Sequence, residues 1–291
     1  MEILPTYVTA LIYLFIVVYM LSVALETTQG QIKAELRDVN MIGRALLANF
    51  VIVPVLGVIL VQLFPMSPQV RIDFLLLALA PGGFFALQFA RVANGNRVLA
   101  VVLLFVLSVL AVLFTPILVH LLFPTVEEGR LPFVRIILLL LLLLVVPLYV
   151  GRALQQFAPA VAPKLGRLLG VLSIVLFILA NVLINQYKPP TIKAISTGEV
   201  AAIVSLVLVS WAVGWLLGGP EVHNRKVFAI STSMRNVGVC LPVAASYFPH
   251  TDVFVPLLAF SSISIPMNMV FAFILGHTLR DTEASAKPVE A

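Results

Sequence analysis

Two short stretches of this sequence combine helix-breaking residues with groups that bind anions. They are residues 80–83 (APGG) and residues 234–238 (MRNVG). Arg235 has five N–H donors and a permanent positive charge, and the amide of Asn236 both donates and accepts hydrogen bonds. A helix that begins after such a break also has unpaired N–H groups and a partial positive charge at its N-terminus. These residue types predict an anion-binding site at the second break.

The composition of the chain indicates whether these breaks belong to a soluble or a membrane protein. The chain has 291 residues, of which 61% are hydrophobic and 11% charged. A soluble domain has about 25% charged residues, so the composition predicts an integral membrane protein. The formal charge of +5 comes from short basic clusters between apolar stretches, which argues against nucleic-acid binding. The single cysteine, Cys240, excludes an intramolecular disulfide and is expected to be a buried, inert thiol.

The apolar stretches predict an all-α polytopic membrane protein. A helix needs about 20 mainly apolar residues to cross the hydrocarbon core. Nine stretches meet this length, at residues 7–25, 43–63, 70–90, 97–122, 132–150, 165–187, 199–218, 226–248 and 252–277. The connections are short, so residues 1–291 form a single transmembrane unit in this interpretation. The polar stretch at about 280–291 is predicted to be disordered.

The distribution of basic residues predicts the orientation. Lys and Arg are enriched in cytoplasmic loops, and here that places the N-terminus outside and the C-terminus in the cytoplasm of a plasma or inner membrane. The cytoplasmic side then has Lys33, Arg37, Arg44, Arg91, Arg97, Arg152, Lys164, Arg167, Arg225, Lys226, Arg280 and Lys287, and the outer side has Arg71, Arg130, Arg135, Lys188 and Lys193.

The two breaks occupy equivalent places in the two halves of the chain. Each lies in the next-to-last span of its half, and the two spans run in opposite directions. This favours an inverted repeat of four and five spans, at about 7–122 and 132–277. Paired interruptions of this kind point to the binding site of a secondary transporter, because freed backbone groups are tolerated only inside protein or beside a wet cavity.

Two roles fit each of the candidate site residues at the two breaks. An arginine at the centre of a membrane helix costs at least about 2.5–3.5 kcal/mol, so Arg235 needs a compensating interaction. It either ties the unwound segment together or also faces an anionic substrate. Asn236 either contacts the substrate or caps the next helix, which is worth about 1 kcal/mol. Phe84 and Phe85 either line the site for an apolar body or pack between helices.

Several short motifs, in this order, resemble those of the bile acid:sodium symporter family. They are Asn49-Phe50 with Pro54, then Pro81-Gly82-Gly83, Gly95-Asn96, Thr115-Pro116 and residues 233–238 (SMRNVG). The resemblance implies a panel domain and a core domain, with two discontinuous helices that cross near the bilayer centre. It also implies a substrate in the crevice between the domains. The site residues it suggests are, for the substrate, Asn236, Arg235, Phe84, Phe85 and Val237, and, for the crossover, Pro81, Gly82, Gly83, Met234 and Gly238.

The positions that bind sodium in the family are altered in this chain. Where sodium-coupled members have Ser-Asn, this chain has Ala86-Leu87, and the hydroxyls of the next span are replaced by Ala100 and Leu104. The Glu and Gln of the second crossing helix correspond to Ser231 and Arg235, and a Gln of span 2 corresponds to Asn49.

These replacements suggest that Arg235 is a tethered cation in the place of a sodium ion. Freed carbonyls and the side-chain oxygens of Asn49 and Ser231 would accept its hydrogen bonds. We therefore expect no cofactor and no metal, and weakened or absent sodium coupling, although sodium binding stays open. Asp73, expected in an outer-surface ion pair with Arg71, and His120 remain candidates for proton coupling.

The sequence as a whole predicts a secondary active transporter that moves a small organic anion, a carboxylate or sulfonate, by alternating access. The alternatives are a sodium-coupled symporter of bile-acid-like anions and an auxin-efflux-type carrier of related fold. An enzyme is not expected, because H-E-x-x-H, G-x-S-x-G and a paired Asp motif are all missing from the spans. The expected partners are the anion and the lipid bilayer. The substrate, the transport direction and the oligomeric state stay open.

Overall fold

A computed structural model describes residues 6–26, 29–123, 133–187, 196–247 and 254–285. The described part is helical and has one isolated β-bridge, between Pro81 and Arg235. Its α-helices are α1 (Thr6–Leu25), α2 (Gln29–Leu36), α3 (Val39–Leu47), α4 (Val53–Leu63), α5 (Pro68–Ala78), α6 (Ala86–Val92), α7 (Arg97–Leu122), α8 (Phe133–Leu140), α9 (Val146–Phe157), α10 (Ala162–Tyr187), α11 (Thr197–Leu217), α12 (Val222–Ser233), α13 (Val237–Tyr247) and α14 (Phe254–Ser285).

Two π-helical segments join short helices into longer rods. Ala48–Ile52 connects α3 to α4, and Leu141–Val145 connects α8 to α9. Each segment is followed by a proline in the first turn of the next helix, Pro54 or Pro147. Proline lacks an N–H and clashes with the carbonyl of the preceding turn, and the wider π turn accommodates both effects without ending the helix.

The helical segments agree with an integral membrane protein. Within the described residues, seven helical stretches are long and apolar enough to cross a membrane. Large apolar side chains also cover the outer surface, and Leu216, for example, is 78% exposed. A soluble monomer rarely exposes so much contiguous apolar surface, whereas lipid-facing helices require it. The predicted all-α membrane class is therefore confirmed.

The two remaining predicted spans are each divided into two short helices. The first consists of α5 and α6, separated by residues 79–85, and the second of α12 and α13, separated by residues 234–236. Both breaks lie where we predicted them from the sequence. Pro81 accounts for the first, because it cannot donate the hydrogen bond that would continue α5.

Two groups of helices are recognisable from their packing. Helix α1 packs mainly on α10 and α9, while α11 packs mainly on α12. Ser22 of α1 donates a hydrogen bond of 2.8 Å to the carbonyl of Gly166 in α10, which fixes these two helices against each other. Phe84 of the first break, with Val237 and Gly238 at the start of α13, lies against this α1–α10 pair.

The structure differs from the sequence prediction at two connections. Helix α2 lies in a stretch that we expected to be a loop. Helix α14 extends to Ser285, past the point at about residue 280 where we expected a disordered tail. No proline or glycine occurs between His277 and Ser285, so nothing local ends the helix there.

Candidate functional site at the helix crossover

The two broken helices cross through a short antiparallel backbone contact. Pro81 and Arg235 form the β-bridge at its centre. The N–H of Gly83 donates to the carbonyl of Met234 at 3.1 Å, and the N–H of Asn236 donates to the carbonyl of Ala80 at 2.8 Å. One N–H and one carbonyl of each break are thus satisfied by the other break, and freed backbone groups in membrane-spanning segments need such partners.

Glycine at positions 82 and 83 permits this close approach. Gly82 has a φ of +81°, a conformation that residues with a Cβ rarely adopt. A Cβ on Gly83 would lie 2.8 Å from the backbone and side chain of Met234. The predicted structural role of these two glycines therefore has a direct geometric basis.

The guanidinium of Arg235 is surrounded by oxygen acceptors inside the protein. The residue is 2% exposed. Its Nε donates to the Leu77 carbonyl at 3.0 Å and its Nη2 to the Ala78 carbonyl at 2.5 Å. Its Nη1 donates to Asn49 Oδ1 at 3.1 Å and to the Thr232 carbonyl at 3.4 Å. All three nitrogens are bonded, so in this structure the guanidinium is directed towards the end of α5.

The C-terminal end of α5 is satisfied by side chains from two other segments. The last carbonyls of a helix have no intrahelical partner and carry a partial negative charge. Arg235 bonds those of Leu77 and Ala78, and Thr115 Oγ1 donates to that of Leu79 at 2.9 Å. Arg235 thus places a positive charge at the negative end of a buried half-helix.

Asn236 caps helix α13 and keeps one donor unused. Its Oδ1 accepts a hydrogen bond from the N–H of Val239 at 3.1 Å. The residue is fully buried, and its Nδ2 has no hydrogen-bond partner among the described residues. A buried amide donor without a partner costs about 1–3 kcal/mol.

A small cavity lies beside this helix N-terminus. Its volume is about 50 Å³. The crossover contributes Phe84, Val237 and Gly238, while α1 and α10 contribute Phe15, Phe177 and Asn181. Gly238 leaves room for the Phe84 ring, because a Cβ at this position would lie 2.3 Å from Phe84 Cζ. The cavity is mainly apolar, with the α13 N-terminus at its edge.

Aromatic rings connect the crossover to the α1–α10 pair. The Phe84 ring meets those of Phe15 and Tyr19 edge to face, with centroids 5.2 and 5.1 Å apart. Phe85 meets Phe177 in the same way, at 4.9 Å. Tyr19 also donates a hydrogen bond to the carbonyl of Phe84. The structure therefore brings both predicted phenylalanines to the boundary between the two helix groups.

The predicted replacements of sodium ligands are buried, and most are apolar. Ala86, Leu87, Ala100 and Leu104 are at most 2% exposed and have no side-chain oxygen. Ser231 is also buried, but its hydroxyl has no hydrogen-bond partner in the described part of the chain. The expectation that Ser231 would accept from Arg235 is wrong. The Thr232 carbonyl accepts a hydrogen bond from Arg235 Nη1 instead.

Sequence analysis also misplaced Asp73 and overlooked Tyr19. Asp73 is fully buried in α5, not at the outer surface, whereas Arg71 is exposed. The two side chains project on different sides of α5, because neighbours two residues apart do not share a helix face. The contact of Tyr19 with Phe84 joins residues 65 positions apart, and no local pattern in the sequence signals it.

Comparisons with known proteins agree with this architecture. The long apolar helices define a polytopic membrane protein. The profile of the Sodium Bile acid symporter family matches residues 12–195, more than half of the chain, and the chain belongs to this family. It is also 23% identical over 258 residues to the hepatic sodium/bile acid cotransporter of Rattus norvegicus, an alignment that covers 86% of this chain and 71% of the relative. The family resemblance predicted from the sequence is confirmed.

Proposed function

We propose that this protein is a secondary transporter of small organic anions in which Arg235 stands where a coupling sodium ion would bind. The observation that carries the proposal is the set of oxygen atoms around the guanidinium, from Leu77, Ala78, Thr232 and Asn49. Unwound carbonyls and half-helix C-termini are the groups that bind sodium in transporters with broken helices. A tethered guanidinium that occupies them leaves no place for the ion.

The other family sodium site lacks side-chain ligands in this proposal. Ala86, Leu87, Ala100 and Leu104 replace the residues that supply oxygens in sodium-coupled members, and all four are buried. Backbone carbonyls alone would have to supply the coordination. Weak or absent sodium coupling follows from the two sites together.

The anion is proposed to bind at the N-terminus of α13. Asn236 has an unused amide donor there, and the first N–H groups of the half-helix carry a partial positive charge. Arg235 contributes its charge through the crossover, because its N–H groups already bond protein oxygens. Phe84 and Val237 line the adjacent cavity, so the body of the anion is expected to be apolar.

Transport is proposed to follow from movement of one helix group against the other. In this proposal α1, α9 and α10 form the panel domain, and the crossing helices with their neighbours form the core domain. The nine spans, the inverted repeat of four and five spans, and the outside N-terminus are parts of the same proposal. The cavity between Phe15 and Phe84 lies at the boundary of the two groups, where such a movement would open or close it.

A sodium-coupled symporter is the second candidate. It is supported by the relative in Rattus norvegicus, whose name describes a sodium/bile acid cotransporter. The family profile ends at residue 195, before α12 and α13, so it does not bear on the replacements at Ser231 and Arg235.

The test is the thermal stability of the purified protein with a panel of carboxylates and sulfonates, in sodium and in potassium salts. A ligand at 100 times its Kd stabilises the folded state by about 2.7 kcal/mol. We expect a ligand whose effect is the same in both salts, disappears in Asn236→Ala, and persists in the control Asn40→Ala, since Asn40 is exposed and distant from the crossover. Stabilisation that requires sodium would overturn the proposal.

A further inference from the structure

A second cleft lies between the two helix groups, away from the crossover cavity. Its volume is about 500 Å³. One side is formed by Glu26, Pro163 and Arg167, from the end of α1 and the start of α10, and the other by Arg91, Arg97 and Val98, from α6 and α7. We call it the arginine cleft. In the predicted orientation it faces the cytoplasm.

The arginine cleft has an excess of positive charge. Three arginines and one glutamate line it. Helices α7 and α10 begin there and α1 and α6 end there, so the partial charges of the helix termini offset one another and the excess comes from the arginines. Arg97 and Arg167 form no ion pair within the described residues, and both are exposed to the cleft and its surroundings.

The single carboxylate of the cleft is held by one of these arginines. Glu26 forms a salt bridge with Arg91, and the two side chains are 14% and 36% exposed. Glu26 also lies against Gly166, where an added Cβ would be 3.3 Å from its Cγ.

We propose that the arginine cleft is a second anion-binding site, in which Arg91, Arg97 and Arg167 bind a doubly charged oxyanion and Glu26 is a tethered occupant that this anion displaces. Three arginines and one carboxylate give the cleft a net charge of +2, which a dianion neutralises even when Glu26 is displaced from Arg91. Phosphate and dicarboxylates have oxygen atoms on several sides, so one group reaches arginines from both sides of the cleft, each through paired N–H donors.

Glu26 alone does not neutralise the positive charge of the arginine cleft. One carboxylate satisfies Arg91 but leaves Arg97 and Arg167 without an anionic partner among the described residues. A bound dianion would join the α1–α10 side to the α6–α7 side through these arginines. The site does not involve Asn236 or Arg235, so it stands independently of the anion site at the crossover.

Binding of inorganic phosphate tests the proposal directly. The melting temperature of the purified protein would be measured in potassium phosphate and in potassium chloride of equal ionic strength. We expect a saturable increase with phosphate that disappears in the double variant Arg97→Gln/Arg167→Gln. Both positions are exposed, so the double variant is expected to fold. The increase should persist in Arg37→Gln, an exposed charge outside the cleft, and in Asn236→Ala, which separates this site from the crossover.

The variant Glu26→Gln tests whether the Glu26 carboxylate competes with the anion for the arginines. Removing the competing carboxylate is expected to lower the apparent Kd for phosphate about tenfold, which corresponds to about 1.4 kcal/mol. Weaker binding in Glu26→Gln, or an undiminished phosphate effect in Arg97→Gln/Arg167→Gln, would overturn the proposal. Equal loss in Arg37→Gln would do the same, because it would show general screening of charge.

A comparison of lipid compositions identifies the source of the oxyanion. The protein would be placed in nanodiscs of neutral phosphatidylcholine, with or without phosphatidic acid, whose phosphomonoester headgroup can carry two negative charges. Phosphate stabilisation in neutral nanodiscs identifies a free anion as the ligand. Stabilisation by phosphatidic acid that depends on Arg97 and Arg167, with no effect of phosphate, identifies a lipid headgroup. If neither phosphate nor the anionic lipid stabilises the protein, the arginine cleft is not an anion-binding site.

Discussion

Arg235 Nη1 and Asn49 Oδ1 are joined by a hydrogen bond of 3.1 Å, although the two residues lie 186 positions apart in the sequence. The contact links the second span to the broken helix α12–α13. The same guanidinium bonds the end of α5, so a single side chain connects three segments of the crossover. In the proposed mechanism this positive charge is permanent and does not leave with the substrate.

Replacing Arg235 is expected to destabilise the whole crossover. Arg235→Ala removes the donors to Leu77, Ala78 and Asn49, and each buried acceptor left without a partner costs about 1–3 kcal/mol. Arg235→Lys keeps the charge but not the planar set of donors, so we expect an intermediate loss. The measurement is the melting temperature of the purified variants. A lysine variant as stable as the original protein would contradict the geometric argument.

Asn49→Leu tests the long-range contact, although it also removes the amide hydrogen bonds to the Ala45 carbonyl (3.0 Å) and the Thr232 hydroxyl (3.5 Å). Leucine has a similar volume but no acceptor for Arg235, and a hydrogen bond to a charged group is worth about 1.5–3 kcal/mol. We expect a loss of stability in this range. In a double-mutant cycle, the effects of Asn49→Leu and Arg235→Lys should not be additive, because the two residues share one contact. Additive losses would show that the contact is unimportant.

The close approach at Gly83 gives a third prediction with a matched control. In Gly83→Ala, the new Cβ would lie 2.8 Å from Met234, so the two breaks must move apart. We expect lower stability and loss of anion binding. Gly43→Ala in α3 has nothing within 4 Å of the new Cβ, and should stabilise the helix by about 0.5–1 kcal/mol. Similar effects of the two substitutions would contradict the crossing geometry.

Phe84 and Gly238 should determine the size of the anion that binds. Gly238→Ala places a Cβ 2.3 Å from the Phe84 ring, so the ring must move and the cavity must change shape. We expect loss of anion stabilisation in Gly238→Ala and its recovery for larger anions in Gly238→Ala/Phe84→Ala. The readout is the same thermal-stability panel, ordered by ligand size. An unchanged size preference in both variants would place the substrate elsewhere.

The helix breaks and the spans could be predicted because they depend on residues that are close together in the sequence. Pro81 with Gly82 and Gly83 marks a break in any helix, because proline removes a donor and glycine permits the positive φ seen here. The apolar runs between the breaks are long enough to identify the spans. These features depend on neighbours in the sequence, and the structure contains them where they were expected.

The partners of the freed groups could not be predicted in the same way. Thr232 accepts from Arg235 through its backbone, whereas Ser231 was expected from side-chain chemistry alone. The burial of Asp73 depends on which side of α5 meets other helices, and Tyr19 reaches Phe84 across 65 residues. Such contacts follow from helix packing, which a single sequence does not specify.

The altered sodium positions lead to a gain-of-function prediction. Ser231→Glu/Arg235→Gln restores a carboxylate and removes the tethered cation at the positions that differ from sodium-coupled relatives. We expect this double variant to acquire sodium-dependent stability. Ser231→Glu alone should instead form a salt bridge with Arg235 and remain insensitive to sodium. A double variant that folds but ignores sodium would mean that further ligands are missing.

The most direct test of the central claim needs no substrate. It is the melting temperature of the original protein as sodium chloride replaces potassium chloride at constant ionic strength, beside Ser231→Glu/Arg235→Gln. If Arg235 occupies the ion position, the original protein shows no sodium-specific shift and the double variant shows a saturable one. A saturable increase with sodium in the original protein would contradict the claim, because an ion that binds only the folded state must stabilise it.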